Sequence, residues 1–143
     1  MSTSKHLLFF DGVCVLCNHT VHFIHARDRQ DVFLFAQLQG ALARDLLARH
    51  GKDAAALDGV YLLADRGSAN ERLLWKYAAV RFVLRQLGGV WKGLSVLMGV
   101  LPARVGDFFY DLVARNRYRL VGKYEQCALP PPALRRKFVV DGE

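Results

Sequence analysis

The sequence predicts an α/β protein with a four-stranded mixed sheet, flanking helices and an appended C-terminal helical segment. Three observations support this fold class: short apolar runs alternate with segments of helical periodicity, turn residues separate them, and two cysteines stand between the first run and the first helix. With 143 residues, 52% of them apolar, the chain has the length of one domain and can form a core. We therefore expect a single domain over residues 1–143, in which residues 90–143 form a helical extension and a basic tail.

The first half of the chain indicates strand, helix, strand, helix. His6–Phe10 is an apolar run that ends in a turn, and Val15–Arg27 has helical spacing of its apolar residues. The expected inward stripe of this helix is Leu16, Thr20, Phe23 and Ile24, and its expected polar face is Asn18, His22 and His25. Residues 32–36 predict a second strand. Leucines at every fourth position then predict a helix that Gly51 ends, with Leu38, Leu42 and Leu46 as its apolar stripe.

The second half indicates a hairpin followed by helices. Residues 60–64 predict a third strand, and Arg72–Trp75 predicts a fourth after the turn cluster at residues 65–70. A helix follows, with Tyr77, Val80, Leu84 and Leu87 on one stripe and Gly88-Gly89 at its end. Residues 91–100 are apolar almost all round, as expected of a helix that is buried or faces a partner. Beyond Pro102 a last amphipathic helix, marked by Val105, Phe108, Phe109 and Leu112, leads into the basic run 115–119.

This order of elements, with two cysteines at the first strand-to-helix turn, is the layout of a thioredoxin-like fold. A right-handed crossover makes the first two strands parallel, and the hairpin adds an antiparallel edge. We expect the C-terminal segment to pack against the dithiol end of the sheet, because binding sites in open α/β sheets form beyond the carboxyl ends of the strands.

Cys14 and Cys17 have the spacing Cys-x-x-Cys, which allows either a reversible disulfide or half of a metal site. Cys14 falls at the N-terminus of the first helix, where unpaired N–H groups and the helix dipole stabilise a thiolate. Such positions lower the pKa of a cysteine from about 8.5 to roughly 3.5–7.5. Cys17 lies one turn further on and is expected to be the more buried thiol. We therefore expect Cys14 to be the nucleophile and Cys17 the resolving cysteine.

Other residues have more than one interpretation. Asp11 either moves protons to and from the dithiol or forms an Asx turn or helix cap. Arg115, Arg117 and Arg119 either bind an anion, orient the C-terminal segment, or simply favour a helix C-terminus. A zinc site would need ligands beyond the cysteine pair, for example Cys127 with His19 or His22. His19, His22 and His25 fan out around their helix, which argues against a site made of all three.

Charge is distributed unevenly along the chain. Residues 1–71 carry 7 Lys or Arg and 8 Asp or Glu, whereas residues 72–143 carry 13 and 5. The basic half is either a solvated face or a surface for an acidic partner. Aromatic residues do not interleave with the basic ones, so we expect no nucleic-acid partner and at most a weak contact with an anionic membrane. The N-terminal residues do not resemble a signal peptide, and we expect a cytoplasmic protein, whose three cysteines favour chemistry or metal binding over structural disulfides.

The stretch Asp11-Gly12-Val13-Cys14-Val15-Leu16-Cys17-Asn18 resembles the signature of the DCC family of predicted thiol-disulfide oxidoreductases. The resemblance covers residues 6–132 and includes Phe35-Ala36-Gln37-Leu38-Gln39, Arg49-His50-Gly51, Leu87-Gly88-Gly89 with Trp91, Ala114-Arg115-Asn116-Arg117-Tyr118-Arg119, and Cys127 followed by prolines. It implies dithiol redox chemistry. Two departures matter: Lys76-Tyr77-Ala78 stands where members often carry a basic residue, Ser and Asp, and Leu57-Asp58-Gly59 stands where thioredoxins place a cis-proline.

The sequence therefore predicts a thiol-disulfide oxidoreductase that needs no cofactor and acts on a disulfide-containing protein or a small thiol. The expected catalytic residues are Cys14, Cys17 and Asp11, and the candidates for accessory roles are Cys127, Arg117 and Asn18. Two alternatives remain open. One is a non-enzymatic zinc-binding module that uses Cys14, Cys17 and Cys127, and the other is an interaction domain that docks through its basic C-terminal half.

Overall fold

The computed structural model describes residues 5–12, 14–52, 60–66 and 69–122. Their helices and strands are, in chain order, β1 (His6–Phe10), α1 (Val15–Arg27), β2 (Phe33–Gln37), α2 (Ala41–Arg49), β3 (Tyr61–Ala64), β4 (Arg72–Trp75), α3 (Lys76–Leu87), α4 (Gly89–Met98) and α5 (Ala103–Val121). The predicted fold class is confirmed: a four-stranded mixed sheet with flanking helices, thioredoxin-like, carries a C-terminal helical segment.

The four strands lie in the order β2-β1-β3-β4. β1 pairs in parallel with β2, β3 runs antiparallel to β1, and β4 runs antiparallel to β3. The parallel first pair and the antiparallel hairpin at the edge are both as predicted. Because β1 and β2 are parallel, their carboxyl ends meet at one edge of the sheet, and the dithiol turn follows β1 directly at that edge.

The core occupies both faces of the sheet, because successive side chains of a strand point to opposite faces. Leu8 and Phe10 of β1 pack in a cluster with residues of α1 and α3, whereas Leu7 and Phe9 pack in a second cluster with α2. All five residues of β1 are buried. Both cysteines belong to the first cluster, so the dithiol borders an apolar core.

Three local predictions in the first half were wrong. The inward face of α1 is formed by Cys17, Val21 and Ile24, whereas Thr20 is exposed and Asn18 is buried. The turn sets the rotation of this helix by placing Cys17 inward, a constraint that periodicity does not reveal. β2 begins one residue later than expected. Leu38 precedes α2 and lies in the turn after β2, where its N–H donates to Phe10 O at 2.8 Å.

The C-terminal helices are attached to the rest of the protein largely through polar groups. Ser95 is the buried residue of α4, and its Oγ donates to Arg81 O at 2.8 Å while Arg81 Nε donates to Ser95 O at 3.1 Å. The sequence predicted that the helix of residues 91–100 is either buried or faces a partner. Since Ser95 is its buried residue, the prediction of burial is wrong. The buried Gly106 brings α5 against the ring of Tyr77. Within the part of the chain that the structure describes, no helix is both long enough and apolar enough to cross a membrane.

Candidate dithiol active site

Cys14 is the N-cap residue of α1, as the sequence predicted. Its Sγ accepts the backbone N–H of Cys17 at 3.3 Å, and its own N–H donates to Asp11 O at 3.1 Å across the turn. A cysteine thus occupies the position at which Ser, Thr, Asn or Asp usually caps a helix. Its sulfur therefore faces the unpaired N–H groups and the positive end of the helix dipole, which favour a thiolate.

The two thiols differ in acidity in the predicted direction. A hydrogen bond from the Cys17 thiol, assisted by the Cys17 backbone N–H and the charge of Arg117, lowers the pKa of Cys14 to about 6 against the effects of burial and of Asp11. The same hydrogen bond to Cys14, together with burial, raises the pKa of Cys17. Near neutral pH the pair therefore holds one thiolate, on Cys14, and one proton, on Cys17. Both residues are reduced in this structure.

Asn18 links the turn to the helix. Its Nδ2 donates to Gly12 O and to Cys14 O, each at 2.9 Å, and the residue is buried. The expectation that Asn18 lies on the polar face of α1 is therefore wrong. It is placed as a positioning residue, since both of its hydrogen bonds hold the backbone on either side of Val13. A side chain with two N–H donors suits this place, because two backbone carbonyls meet there.

Asp11 is fully buried at the meeting point of three segments. Gln39 Nε2 donates to its Oδ1 at 2.7 Å, Arg117 NH2 donates to its Oδ2 at 3.2 Å, and the Tyr118 hydroxyl also donates to Oδ2. The alternative in which Asp11 caps the helix is wrong, because Cys14 is the cap. The carboxylate instead connects β1 to α5 and to the turn after β2, and its buried charge forms an ion pair with Arg117.

Both α5 donors to Asp11 stay protonated near neutral pH. Burial acts to lower the pKa of Arg117, but the hydrogen bond to Asp11 and the neighbouring Tyr118 outweigh it, and the pKa is raised. Burial, with Asp11 next in size, raises the pKa of Tyr118 to about 12. Sequence reasoning assigned no role at the site to Gln39 or Tyr118, although both lie in stretches that resemble the family. Gln39 had a further signal, since it follows the strand whose carboxyl end adjoins that of β1.

The end of α5 lies against the dithiol turn. Gly122 O accepts the N–H of Val15 at 3.4 Å, and Tyr118 packs against the core cluster that contains both cysteines. Cys14 is 0% exposed and Cys17 is 7% exposed, so both residues are buried, and the Cys17 sulfur lies the deeper of the two among protein atoms, as expected of a resolving thiol. The expected packing of the C-terminal segment at this end of the sheet is confirmed as far as Gly122. Cys127 and the prolines that follow it lie outside the described residues.

Other predicted candidates lie apart from this cluster. His19 and His22 are exposed, and His25 is half-buried. Among the residues that the structure describes, no group of three or more His, Cys, Asp or Glu could hold a metal ion. Since Cys127 is not among them, the zinc module stays an untested alternative. Arg115 and Arg119 are exposed on α5, whereas Arg117 is buried.

The two departures from the family pattern have different outcomes. The polar groups of Lys76 and Tyr77 attach α3 to the C-terminal helices. Lys76 Nζ pairs with Asp111 at 3.2 Å, while the Tyr77 N–H donates to Asp107 Oδ1 at 3.2 Å and its hydroxyl donates to Met98 O. Residues 57–59, where thioredoxins place their cis-proline, are outside the described ranges.

Comparisons with known proteins agree with this geometry. A family model described as DCC1-like thiol-disulfide oxidoreductase matches residues 8–123. The chain is 35% identical over 135 residues to the uncharacterized protein YuxK of Bacillus subtilis (strain 168), a match that covers 94% of each chain. It is 32% identical over 125 residues to the chloroplastic DCC family protein At1g52590 of Arabidopsis thaliana, covering 87% of this chain and 70% of that protein. No solved structure gives a significant match. The matched residues include the sheet, the dithiol turn and α5, and the chain belongs to the DCC1-like thiol-disulfide oxidoreductase family.

Proposed function

We propose that the protein is a thiol-disulfide oxidoreductase in which Cys14 attacks a substrate disulfide and Cys17 resolves the product. One observation supports this proposal above all others: Cys14 caps the N-terminus of α1, and its sulfur accepts the backbone N–H of Cys17 at 3.3 Å. This arrangement provides a thiolate at neutral pH, and the thiolate is the species that attacks disulfides.

The first step forms a mixed disulfide. Cys14 Sγ bonds to one sulfur of the substrate, the substrate S–S bond breaks, and the departing thiolate takes up a proton. Bonding removes the negative charge from Cys14, and with it the main reason that Cys17 retains its proton. Cys17 then loses its proton and attacks Cys14 Sγ. The bond between Cys14 and the substrate sulfur breaks, the second substrate thiolate leaves and takes up a proton, and a Cys14–Cys17 disulfide remains. Two electrons have passed from the dithiol to the substrate, and the reverse sequence oxidises a substrate dithiol.

We propose that Asp11 assists the proton loss of Cys17 in the second step through electrostatics. Its backbone N–H hydrogen-bonds the Cys17 sulfur and favours the Cys17 thiolate. Its carboxylate, held by Gln39, Arg117 and Tyr118, is a fixed negative charge that acts to raise the pKa of Cys14. Asp11 thus acts on both thiols: its N–H hydrogen-bonds the Cys17 sulfur, and its carboxylate charge raises the pKa of Cys14. Both effects favour the transfer of negative charge from Cys14 to Cys17.

Attack also requires access to a buried sulfur. Since Cys14 is 0% exposed, the cover over the turn must open before a disulfide reaches it. The end of α5 forms part of that cover through the contact between Val15 N–H and Gly122 O. Substrate binding is therefore expected to displace this end of the helix.

A redox titration tests the proposal. A Cys127→Ser background leaves only Cys14 and Cys17 as thiols, and the thiol content is measured after equilibration with a glutathione couple. We expect one reversible two-electron transition between roughly −300 and −120 mV, the span of thioredoxin-like couples. Cys14→Ser and Cys17→Ser in the same background are the matched controls and should show no intramolecular disulfide. If the parent protein also forms none across this range, the proposed activity is wrong.

A further inference from the structure

Large apolar side chains are exposed mainly in one region of the protein. Thirteen large apolar side chains are exposed among the described residues. Twelve of them lie between residues 90 and 120, and Trp75 is the exception. Several have more than half of their surface open to solvent: Val100 is 80% exposed, Phe108 60% and Phe109 55%. Single exposed apolar residues are ordinary on protein surfaces, but a concentration of them marks an interaction site.

Six of these twelve exposed residues lie on α5, and the orientation of that helix explains their exposure. Its apolar residues Val105, Phe108, Phe109 and Leu112 follow the spacing i, i+3, i+4, i+7 and form one stripe, which we call the outer apolar face. All four are exposed. The side chains of Asp107, Tyr110 and Asp111 lie on the other side of the helix and hold it to the protein. Asp107 accepts the Tyr77 N–H at 3.2 Å, and Tyr110 Oη accepts the Val60 N–H at 2.7 Å. A surface helix ordinarily turns its apolar stripe toward the core, so α5 has the reverse orientation.

The charges near this face are mostly positive. Residues 89–122 contain five Lys or Arg and two Asp or Glu. Both acidic residues are engaged with α3, Asp107 at the Tyr77 N–H and Asp111 in an ion pair with Lys76. Four of the five basic residues are exposed, namely Lys92, Arg104, Arg115 and Arg119. Exposed apolar groups and exposed cations therefore occur together on α4 and α5.

We propose that the outer apolar face of α5 docks on the surface of an anionic lipid bilayer. A helix with aromatic and aliphatic residues on one face and arginines beside them lies in the plane of the interface, with its apolar face among the upper acyl chains. Its cations bind anionic headgroups at the same time. α5 meets both requirements with Phe108 and Phe109, whose rings pack edge-to-face at 5.6 Å, and with Arg104, Arg115 and Arg119. The docked protein rests on the surface and does not span the bilayer.

The charges favour a lipid surface over a second copy of the chain. A two-fold interface pairs the same surface of both subunits. The outer apolar face of one copy would then meet that of the other, and the exposed arginines of both copies would come together. The acidic residues of α5 face α3 and are engaged there, so they would not neutralise these arginines. An anionic surface complements the arginines without this cost.

Vesicle flotation tests the docking with the full-length chain. Vesicles are made of phosphatidylcholine alone or of phosphatidylcholine mixed with phosphatidylserine. We expect binding to the mixed vesicles, about tenfold weaker binding to phosphatidylcholine alone, and weaker binding as salt is added. The double variant Phe108→Ser/Phe109→Ser should reduce the affinity for mixed vesicles about tenfold or more, because it removes both rings from the acyl-chain region. Trp75→Ser, at the exposed apolar residue outside this region, is the matched control and should bind like the parent protein.

Two further variants keep the test decisive. Arg104→Gln/Arg115→Gln/Arg119→Gln leaves the apolar residues in place and should weaken binding to mixed vesicles only. Arg135→Gln/Arg136→Gln/Lys137→Gln removes the basic charges near the C-terminus of the sequence. If this last variant loses binding while the phenylalanine variant keeps it, the tail binds the lipid and the proposal is wrong. It is equally wrong if no vesicles are bound. A dimer in sedimentation that the phenylalanine variant dissociates would then identify a second copy of the chain as the occupant of this face. Cys14→Ser/Cys17→Ser should bind vesicles normally, because the docking does not depend on the redox proposal.

Discussion

The contact between α5 and Tyr77 makes a sharp prediction about Gly106. A Cβ at this buried position would meet the Cγ, Cδ1 and Cδ2 atoms of the Tyr77 ring at well under 3.0 Å, a separation that real Cβ atoms essentially never show. The Tyr77 ring cannot move aside freely, because two hydrogen bonds hold the residue at both ends. The Tyr77 hydroxyl donates to Met98 O, and the Tyr77 backbone N–H donates to Asp107 Oδ1. In a Gly106→Ala variant α5 must therefore shift away from α3.

The expected cost follows from three contributions. Overpacking of a tight contact costs about 1–3 kcal/mol. A shift of α5 also weakens a hydrogen bond such as that from Tyr77 to Met98, at about 1 kcal/mol. Alanine returns roughly 1 kcal/mol through its higher helix propensity. The free energy of unfolding should therefore fall by about 1–3 kcal/mol, which for a chain of this size lowers Tm by about 3–5 °C per kcal/mol.

Gly93→Ala is the matched control. Gly93 also lies inside a helix, but a Cβ there meets nothing within 4 Å. This variant gains helix propensity without a clash, so its free energy of unfolding should rise by up to about 1 kcal/mol. Urea denaturation of both variants beside the parent protein measures the two changes. If Gly106→Ala is as stable as Gly93→Ala, α5 does not pack on Tyr77 as described.

The same variant connects packing to the dithiol. A shift of α5 draws Arg117 away from Asp11 and from the turn, and the charge of Arg117 is one of the groups that lower the pKa of Cys14. The rate of Cys14 alkylation against pH, measured in a Cys127→Ser background, should show a higher midpoint in Gly106→Ala than in Gly93→Ala. Equal midpoints would mean that the orientation of α5 does not affect the thiolate.

Three further predictions follow from single side chains. Cys17→Ala should raise the pKa of Cys14 more than Cys17→Ser does, because a serine hydroxyl still donates to the Cys14 sulfur; alkylation midpoints measure both, and equal midpoints contradict the role of the hydrogen bond. Asn18→Asp should lower the free energy of unfolding by about 2 kcal/mol, because a carboxylate donates to neither buried carbonyl. Its negative charge should also raise the pKa of Cys14. Urea denaturation and alkylation measure the two effects, with Asn18→Ala as the uncharged control. Burial lowers the pKa of His6, so the unfolded chain binds a proton more readily than the folded protein does. The free energy of unfolding should therefore be level above pH of about 6.5 and fall below it. A His6→Gln variant whose free energy of unfolding falls with the same slope between about pH 6.5 and 5 would contradict this.

Much of the architecture was predictable from local patterns. The strand at His6–Phe10, the helix at Val15–Arg27 and the hairpin after residue 60 each have their own periodicity and turn residues. The position of Cys14 at a helix start was also predictable, because the strand ends at Asp11-Gly12 and helical spacing begins immediately afterwards. The lowered pKa of Cys14 agrees with this position at the first turn, although the Cys17 thiol contributes the largest part of it.

The surroundings of Asp11 were decided by the tertiary structure. Arg117 lies 106 residues away along the chain and Tyr118 lies 107 away, and local spacing has no information on such a pairing. The burial of Asn18 has a similar cause. Periodicity predicts that α1 has an inward face, whereas the turn that places Cys17 inward determines which residues occupy it.

α5 likewise has one property that the sequence predicts, its amphipathic pattern, and one that the tertiary structure decides, its orientation. The spacing of Val105, Phe108, Phe109 and Leu112 predicts an amphipathic helix, and the helix is present. An amphipathic pattern does not determine which face of the helix packs on the protein. That depends on the apolar, hydrogen-bonding and charged groups of the surface on which the helix packs. Here the Tyr77 N–H, Lys76 and Asp11 offer hydrogen bonds and charge to the polar face. Buried polar groups require such partners, so the side of α5 that carries Asp107, Asp111 and Arg117 turns inward and its apolar side faces out.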